Sequence, residues 1–308
     1  MQNGNPSIQQ VFNQEKLQAF TSQLQSETFI AFIQSRIDYP FTEIQQEYNN
    51  YIEQAAFGVA LLSKLDLNDK RILEVGSGSG ILTAWLLLNG VDVIGIEPSA
   101  LGFSFHADIF TAIWDYFKLP SNKVFDRSAE QISEQDLGKF HLIYSVNVME
   151  HIPVNNLDLV FEKMKSVLHE NGIMYHHCPN YSIPFEPHYG LPLIPFFPQL
   201  IGKLTGKSKE ALWQSVNFIT LNQVKKITAQ QQLNSYYEQG IMAASFKRLQ
   251  YDPEFANRHP LLAKISKVMA AIGLLKAMEN IPPQWATPMT FIVSHKGNAT
   301  SFKGFKKG

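Results

Sequence analysis

Downstream of Asp69 the apolar positions change rhythm, falling in short runs separated by longer stretches at helical spacing. The runs Arg71–Val75, Val91–Glu97, Phe140–Val146 and Gly172–Cys178 are dominated by apolar residues, as strands buried on both faces require. Lys123–Asp126 is a shorter fifth candidate. Between them, Ile81–Asn89, Leu101–Phe117 and Asn156–His169 place apolar residues at helical intervals. Such alternation predicts an α/β fold, a doubly wound parallel sheet with helices on both faces. Upstream, Phe12–Ile37 predicts one or two helices broken near Ser26, and Ile44–Leu65 another. Downstream, Leu221–Gln232 reads as a helix, Asn234–Met242 as a strand, Pro260–Asn280 as an amphipathic helix and Met289–His295 as the last strand.

The segment from Pro179 to about Thr220 follows neither period. Pro184, Pro187, Pro192, Pro195 and Pro198 interrupt any regular element among Phe185, Tyr189, Leu191, Phe196 and Phe197. A connection so long and apolar should pack over the carboxyl edge of the sheet, where open parallel sheets bind ligands. These changes of pattern mark an N-terminal helical cap over 1–68, a core over 69–180 and an insertion over 181–215. The C-terminal part of the core, with a helical insertion, covers 216–297. The remaining 298–308 carries Lys303, Lys306 and Lys307 without an acid and is expected to be disordered.

At 308 residues the chain can bury one large core, or a core with a modest subdomain. Its formal net charge of −1 supplies no global field for a polyanion, so nucleic acid is not an expected partner. The single cysteine, Cys178, excludes an intramolecular disulfide framework and fits a reducing compartment. Met1 to Asp38 lacks the basic start and apolar run of an export signal, so the cytoplasm is the expected location. The longest apolar stretch, Ile81–Ile96, is interrupted by Asn89, Gly90 and Asp92 and is too broken to span a bilayer.

The segment Glu74-Val75-Gly76-Ser77-Gly78-Ser79-Gly80 joins the first strand to the first core helix. Its glycines allow a tight turn and close approach of a ligand, beside the free amides of a helix start. A dinucleotide fingerprint would place its third glycine where Ile81 stands, which disfavours NAD and FAD. Glu97 then ends the second strand, where a carboxylate can accept both hydroxyls of a ribose.

On these residues the chain resembles the class I S-adenosylmethionine-dependent methyltransferases, in particular the family that includes the ubiquinone-pathway O-methyltransferases. The resemblance runs from Arg71 through Pro179: the glycine loop, Glu97, Arg127-Ser128-Ala129-Glu130, Phe140-His141-Leu142-Ile143, the Glu150-His151 loop and Asn171-Gly172-Ile173-Met174. It implies a Rossmann-like methyltransferase sheet, mostly parallel with the last strand antiparallel, with N-terminal helices and a helical and loop lid. It also implies S-adenosyl-L-methionine as cofactor. The implied contacts are Glu74, Gly76, Ser77, Gly78 and Gly80 in the loop, Glu97 and Pro98 after strand two, Ser128 and Ala129, and Asn147 and Val148.

Methyl transfer from a sulfonium asks the protein for alignment, and for a base where the acceptor must lose a proton. For an oxygen acceptor a histidine titrating near neutrality is a natural base. His151 leads, with His188 and Glu150 as further catalytic candidates. His176 and His177 stand behind them, on opposite faces of the fifth strand, so at most one faces the site. Some relatives hold a divalent ion with Glu-x-x-Glu-His and a later histidine. Here Asn147 removes one carboxylate, so a metal on Glu150, His151 and His188 is the alternative to an expected metal-free site.

The expected activity is methyl transfer, foremost to oxygen, on a small, partly apolar acceptor. Ser128, His141 and Asn147 depart from the family pattern and leave a second reading, a binding or scaffold partner that keeps the fold without catalysis. Leu261, Leu262, Ile265, Met269, Ile272, Leu274 and Leu275, with Lys264, Lys267 and Lys276 nearby, read as a helix packed on the domain. Attachment to a membrane surface is the alternative for that stripe.

Overall fold

The computed structural model describes residues 13–98, 104–195, 197–298 and 302–308. Two compact units divide the chain: Met1–Val146 with Lys163–Gly172, and Asn147–Glu162 with Ile173–Gly308.

In the first unit, α1 (Gln14–Leu24), α2 (Glu27–Gln34) and α3 (Gln45–Leu62) precede the sheet. The expected break near Ser26 is a helix cap, Ser26 Oγ accepting from the Phe29 amide at 3.2 Å. Phe12 and Leu101, which opened two of the expected helices, lie outside the described residues. The three helices bury Leu24, Phe29, Ile33 and Tyr48. Phe20 packs on Trp85 with ring centroids 5.3 Å apart, and Phe29 meets Tyr116 edge-on at 4.7 Å.

β1 (Arg71–Val75) leads through the glycine loop into α4 (Ile81–Leu88). β2 (Asp92–Ile96), α5 (Ser104–Phe117), β3 (Val124–Phe125), α6 (Glu134–Leu137) and β4 (Phe140–Val146) follow. β1 pairs parallel with β2 and β4, and β2 with β3, in the order β4-β1-β2-β3. Ile72 and Leu73 are wholly buried, as a strand paired on both edges and covered on both faces demands. His141, an acid in the family pattern, accepts from the Arg71 amide through Nδ1 at 3.1 Å and stacks on His169. Its role is structural.

α7 (Leu157–Ser166) and β5 (Leu168–Cys178) each contain one of the boundaries between the units. The helix expected to reach His169 stops at Ser166, and β5 begins before Gly172. The Phe140 amide donates to the Val167 carbonyl at 2.8 Å, which draws that stretch into extended pairing.

In the second unit, β6 (Phe185–Glu186) and β7 (Leu191–Pro192) form a hairpin, followed by α8 (Pro198–Leu204), α9 (Ala211–Ser215), α10 (Leu221–Gln230) and β8 (Leu233–Glu238). Four helices come next: α11 (Ile241–Tyr251), α12 (Pro253–Arg258), α13 (Pro260–Ala271) and α14 (Leu274–Met278). β9 (Met289–His295) runs antiparallel to both β5 and β8, as expected of the last strand, and β10 (Phe305–Lys307) is antiparallel to β8.

Three expectations need correction here. The strand at Asn234–Met242 ends at Glu238, and α11 begins after Gly240. The lysine tail, expected to lack structure, carries β10, because β8 offers it an unpaired edge at Tyr236–Glu238. The stripe expected to pack inward does so only in part: Leu275 is buried and Met269 packs on the cluster of Ala243, Leu275 and Met278, but Leu261, Ile265, Ile272 and Leu274 are exposed, as is Val268 beside them, while Ala263 and Ser266 are buried. Among the described residues no helix is long and apolar enough to cross a membrane.

Candidate functional site

In the first unit the amides of Gly76 and Ser77 both donate to the Ile96 carbonyl, at 2.9 and 3.1 Å, tying the glycine loop to the end of β2. Gly78 and Gly80 take φ of +53° and +73°, where a side chain is strained. Among the described residues a Cβ on Gly78 would meet nothing within 4 Å, which leaves room for a ligand beside the backbone. A Cβ on Gly80 would lie 2.6 Å from Trp114 and 2.8 Å from Phe110. One glycine leaves room for a ligand, and the other lets α4 start against α5. Gly80→Ala should therefore cost about 2–4 kcal/mol, a left-handed penalty plus overpacking, whereas Gly78→Ala carries the first part alone. Chemical denaturation of the two variants measures the difference.

The Gly78 amide donates to Glu97 Oε2 at 2.8 Å, and the Glu97 amide to the Phe125 carbonyl at 3.1 Å. Burial lifts the Glu97 pKa; the Gly78 amide pulls it back and the Asp126 charge adds to the rise. Pro98 follows at the edge of the described residues. Ser128 opens a 3-10 turn, its amide bonded to Gln131 Oε1 at 2.9 Å, and Ala129 beside it is buried.

Glu74 is buried inside the sheet, where Thr83 of α4 donates to its carboxyl. Burial drives its pKa up to about 8 against the pull of Thr83 and Tyr144, with the Glu97 charge adding to the rise.

Tyr51 on α3 was not legible as part of this region. Its hydroxyl meets His106 Nε2 at 2.5 Å, and burial with the charges of Glu47 and Glu97 holds its pKa above the ordinary value. Burial lowers His106 to about 4. A tyrosine at core spacing in a helix gives no local signal of a charged neighbour 46 positions away.

The second unit begins with Asn147, a non-glycine residue at φ +55° whose amide donates to the His177 carbonyl at 2.8 Å. Asparagine tolerates that conformation better than most residues. After Val148 a 3-10 turn, Met149–His151, presents the two predicted side chains. Asn217 clamps this turn: its Nδ2 donates to the Met149 and Ile152 carbonyls at 2.7 and 2.6 Å, and its amide to the Glu150 carbonyl at 2.7 Å.

Glu150 and the two histidines come together. Glu150 Oε1 lies 4.0 Å from His151 Nε2 and 3.9 Å from His188 Nε2. The carboxyl is wholly buried, and among the described residues no other residue donates a hydrogen bond to either oxygen. The imidazoles are partly open, at 26 and 22 % side-chain exposure, so the cluster can meet a ligand. Burial raises Glu150 to about 7; the His188 charge lowers it and Glu186 raises it. One ligand atom from each of the three residues lies within 4.8 Å of the other two, a set that could also close on a metal ion.

Hydrogen bonds assign the protons. His151 Nδ1 meets Ser215 Oγ at 2.9 Å, and that hydroxyl gives its one hydrogen to the Leu212 carbonyl at 2.8 Å. His151 Nδ1 must then be the donor, leaving a lone pair on Nε2. Burial, with the charge of His188, lowers its pKa to about 4 against the opposing Glu186, so the ring is neutral at neutral pH. His188 is the reverse case. Burial lowers its pKa, but the Nδ1 hydrogen bond to Glu186 Oε1 at 2.5 Å and the charges of Glu186 and Glu150 outweigh burial and raise it.

Glu186 had no sequence signal as a site residue, yet it is wholly buried and satisfied. It accepts from Tyr181 Oη at 3.0 Å, the Tyr189 amide at 2.8 Å and His188. Burial opposes its ionisation, and these donors with the His188 charge win, so its pKa falls below the ordinary value. The β6–β7 hairpin sets Glu186 opposite Leu191. His176 and His177 do not join the cluster. His177 Nδ1 meets Thr290 Oγ1 at 2.9 Å, and His176 packs on the Phe161 and Phe291 rings, its pKa pushed by burial to about 3.

Residues 47–234 match a family model described as a methyltransferase domain. An uncharacterized protein of Mycobacterium tuberculosis (strain H37Rv) is 28 % identical over 246 residues, 75 % of this chain and 81 % of its own length. A ubiquinone biosynthesis O-methyltransferase of Acinetobacter baumannii (strain ACICU) is 26 % identical over 118 residues, 37 % of this chain and 43 % of that one. Among solved structures, the cyclopropane synthase MmaA2 of Mycobacterium tuberculosis aligns over 95 % of this chain and 99 % of its own, at 15 % identity and a TM-score of 0.46.

Proposed function

The chain belongs to the methyltransferase domain family and uses S-adenosyl-L-methionine, and from that premise we propose that it methylates an oxygen of a small, partly apolar acceptor. Glu150 carries the reading. A buried carboxyl without a hydrogen-bonding partner costs free energy, and between two partly open imidazoles it is poised to take a proton.

The glycine loop has the open backbone at Gly78, and Glu97 the carboxylate, that fit the amino-acid and ribose parts of the cofactor. When bound, the cofactor supplies an electrophilic methyl group on a sulfonium. The protein's share is to hold the acceptor hydroxyl and remove its proton. His151 Nε2, with its lone pair, stands beside the carboxyl that receives the proton and is the alternative acceptor of it. Glu150 would accept the hydrogen bond of the acceptor hydroxyl and take its proton, becoming a neutral carboxylic acid, so that the oxygen could receive the methyl group the cofactor would supply. The His188 cation, held by Glu186, favours the ionised form of Glu150 before transfer.

Calorimetry with S-adenosyl-L-methionine should show binding that Glu97→Ala weakens by about tenfold or more, through loss of charge-assisted hydrogen bonds. Labelled methyl from the cofactor should appear as ethers in a panel of small phenols and alcohols, equally well after treatment with a chelator. No affinity for the cofactor or its demethylated product would leave a scaffold in place of an enzyme. Label on nitrogen alone sinks the oxygen assignment, and loss of activity to the chelator, restored by a divalent ion, sinks the metal-free one.

A further inference from the structure

α13 is turned the opposite way from a helix that packs on a core. At 3.6 residues per turn, Leu261, Ile265, Val268 and Ile272 fall within about 60° of arc, one continuous stripe. All four are exposed, from 39 to 69 %. The buried face carries Ala263 and Ser266. Ser266 Oγ donates to the Phe246 carbonyl at 2.5 Å and accepts from Gln250 Nε2 at 2.9 Å, fastening α13 to α11 through its small residues. These four aliphatic side chains are therefore held away from the unit that carries them, while Met269 turns inward onto the cluster of Ala243, Leu275 and Met278, and an apolar stripe so held marks an interaction surface.

Charge decides what covers it. Between Phe255 and Met278 the chain has no acid, but has Arg258, Lys264, Lys267 and Lys276. Lys264 and Lys267 are exposed on α13, both displaced to one side of the stripe. Two copies meeting on this face would bring their lysines together with no acid on the helix to answer them. An apolar stripe edged by cations suits an interface that is greasy within and anionic at its rim. We infer that α13 docks on an anionic phospholipid bilayer, its aliphatic stripe seated among the upper acyl chains and its lysines at the headgroups. This surface does not depend on the methyl-transfer reading.

The test is co-sedimentation of the full chain with vesicles of phosphatidylcholine alone or mixed with phosphatidylglycerol. Partition onto the mixed vesicles should exceed that onto phosphatidylcholine by about tenfold or more and weaken in high salt. The pair Val268→Ser and Ile272→Ser should remove about nine-tenths of the bound protein. It should leave the melting temperature and cofactor binding unchanged, since neither side chain contributes to the interior. No partition, or equal partition onto the two kinds of vesicle, overturns the inference. So does a dimer in sedimentation velocity that the same two substitutions dissociate.

Discussion

Glu150→Gln should lower kcat by about 10²–10⁴-fold, roughly 3–5 kcal/mol of barrier, with KM for the cofactor nearly unchanged. Glutamine keeps the shape of the side chain and the clamp that Asn217 places on the Glu150 carbonyl, but cannot accept the proton. Single-turnover measurement separates this loss from slow product release. In the parent enzyme the rate should rise as pH climbs through about 7, the value to which burial brings Glu150, and level off above it. The variant should lack that limb. Glu186→Gln should act less strongly and through the pH profile. Loss of the Glu186 charge by itself would lower Glu150, but the His188 cation that Glu186 sustains acts on Glu150 more strongly, so with that cation weakened the Glu150 limb moves to higher pH. A Glu150→Gln variant within threefold of the parent would falsify the base assignment and return it to His151.

The sequence makes the first unit legible and the Glu150 cluster only in part. Parallel strands buried on both faces are compositionally distinct, so β1 and β4 are legible to the residue. The glycine loop is equally plain because its turn tolerates few other residues. Ser215 and Glu186 were invisible for another reason. Each acts through partners distant in sequence or through a hairpin whose strands are two residues long, too short to show a period. The stripe on α13 shows a further limit. Its spacing reveals that one face is apolar, but spacing is the same whether that face meets a core or a bilayer. Only the burial of Ala263 and Ser266 tells which way the helix is turned.

Replacing Glu74 by glutamine should change how stability depends on pH more than stability itself. Glu74 sits in β1 with Gly95 of β2 and Tyr144 of β4 as its register partners. A Cβ on Gly95 would lie 3.0 Å from Thr83 Oγ1, so that glycine makes room for the hydroxyl that reaches Glu74. Burial lifts the carboxyl from an ordinary 4.5 to about 8, and the native state therefore holds a proton that the unfolded chain has released between those values. Whenever the folded form binds more protons, stability falls as pH rises; this contribution is complete below 4.5 and is lost by about 8. Glutamine, neutral throughout, does not share the loss. Denaturant titrations at about pH 5.5 and 8.5 should show the variant gaining about 3 kcal/mol relative to the parent across the interval. The side-chain amide retains an oxygen for Thr83, so the difference between the two pH values isolates the proton from the packing. Parallel pH curves for the two proteins would mean that Glu74 is ionised inside the sheet, and that a cation or a ring of donors must lie against it.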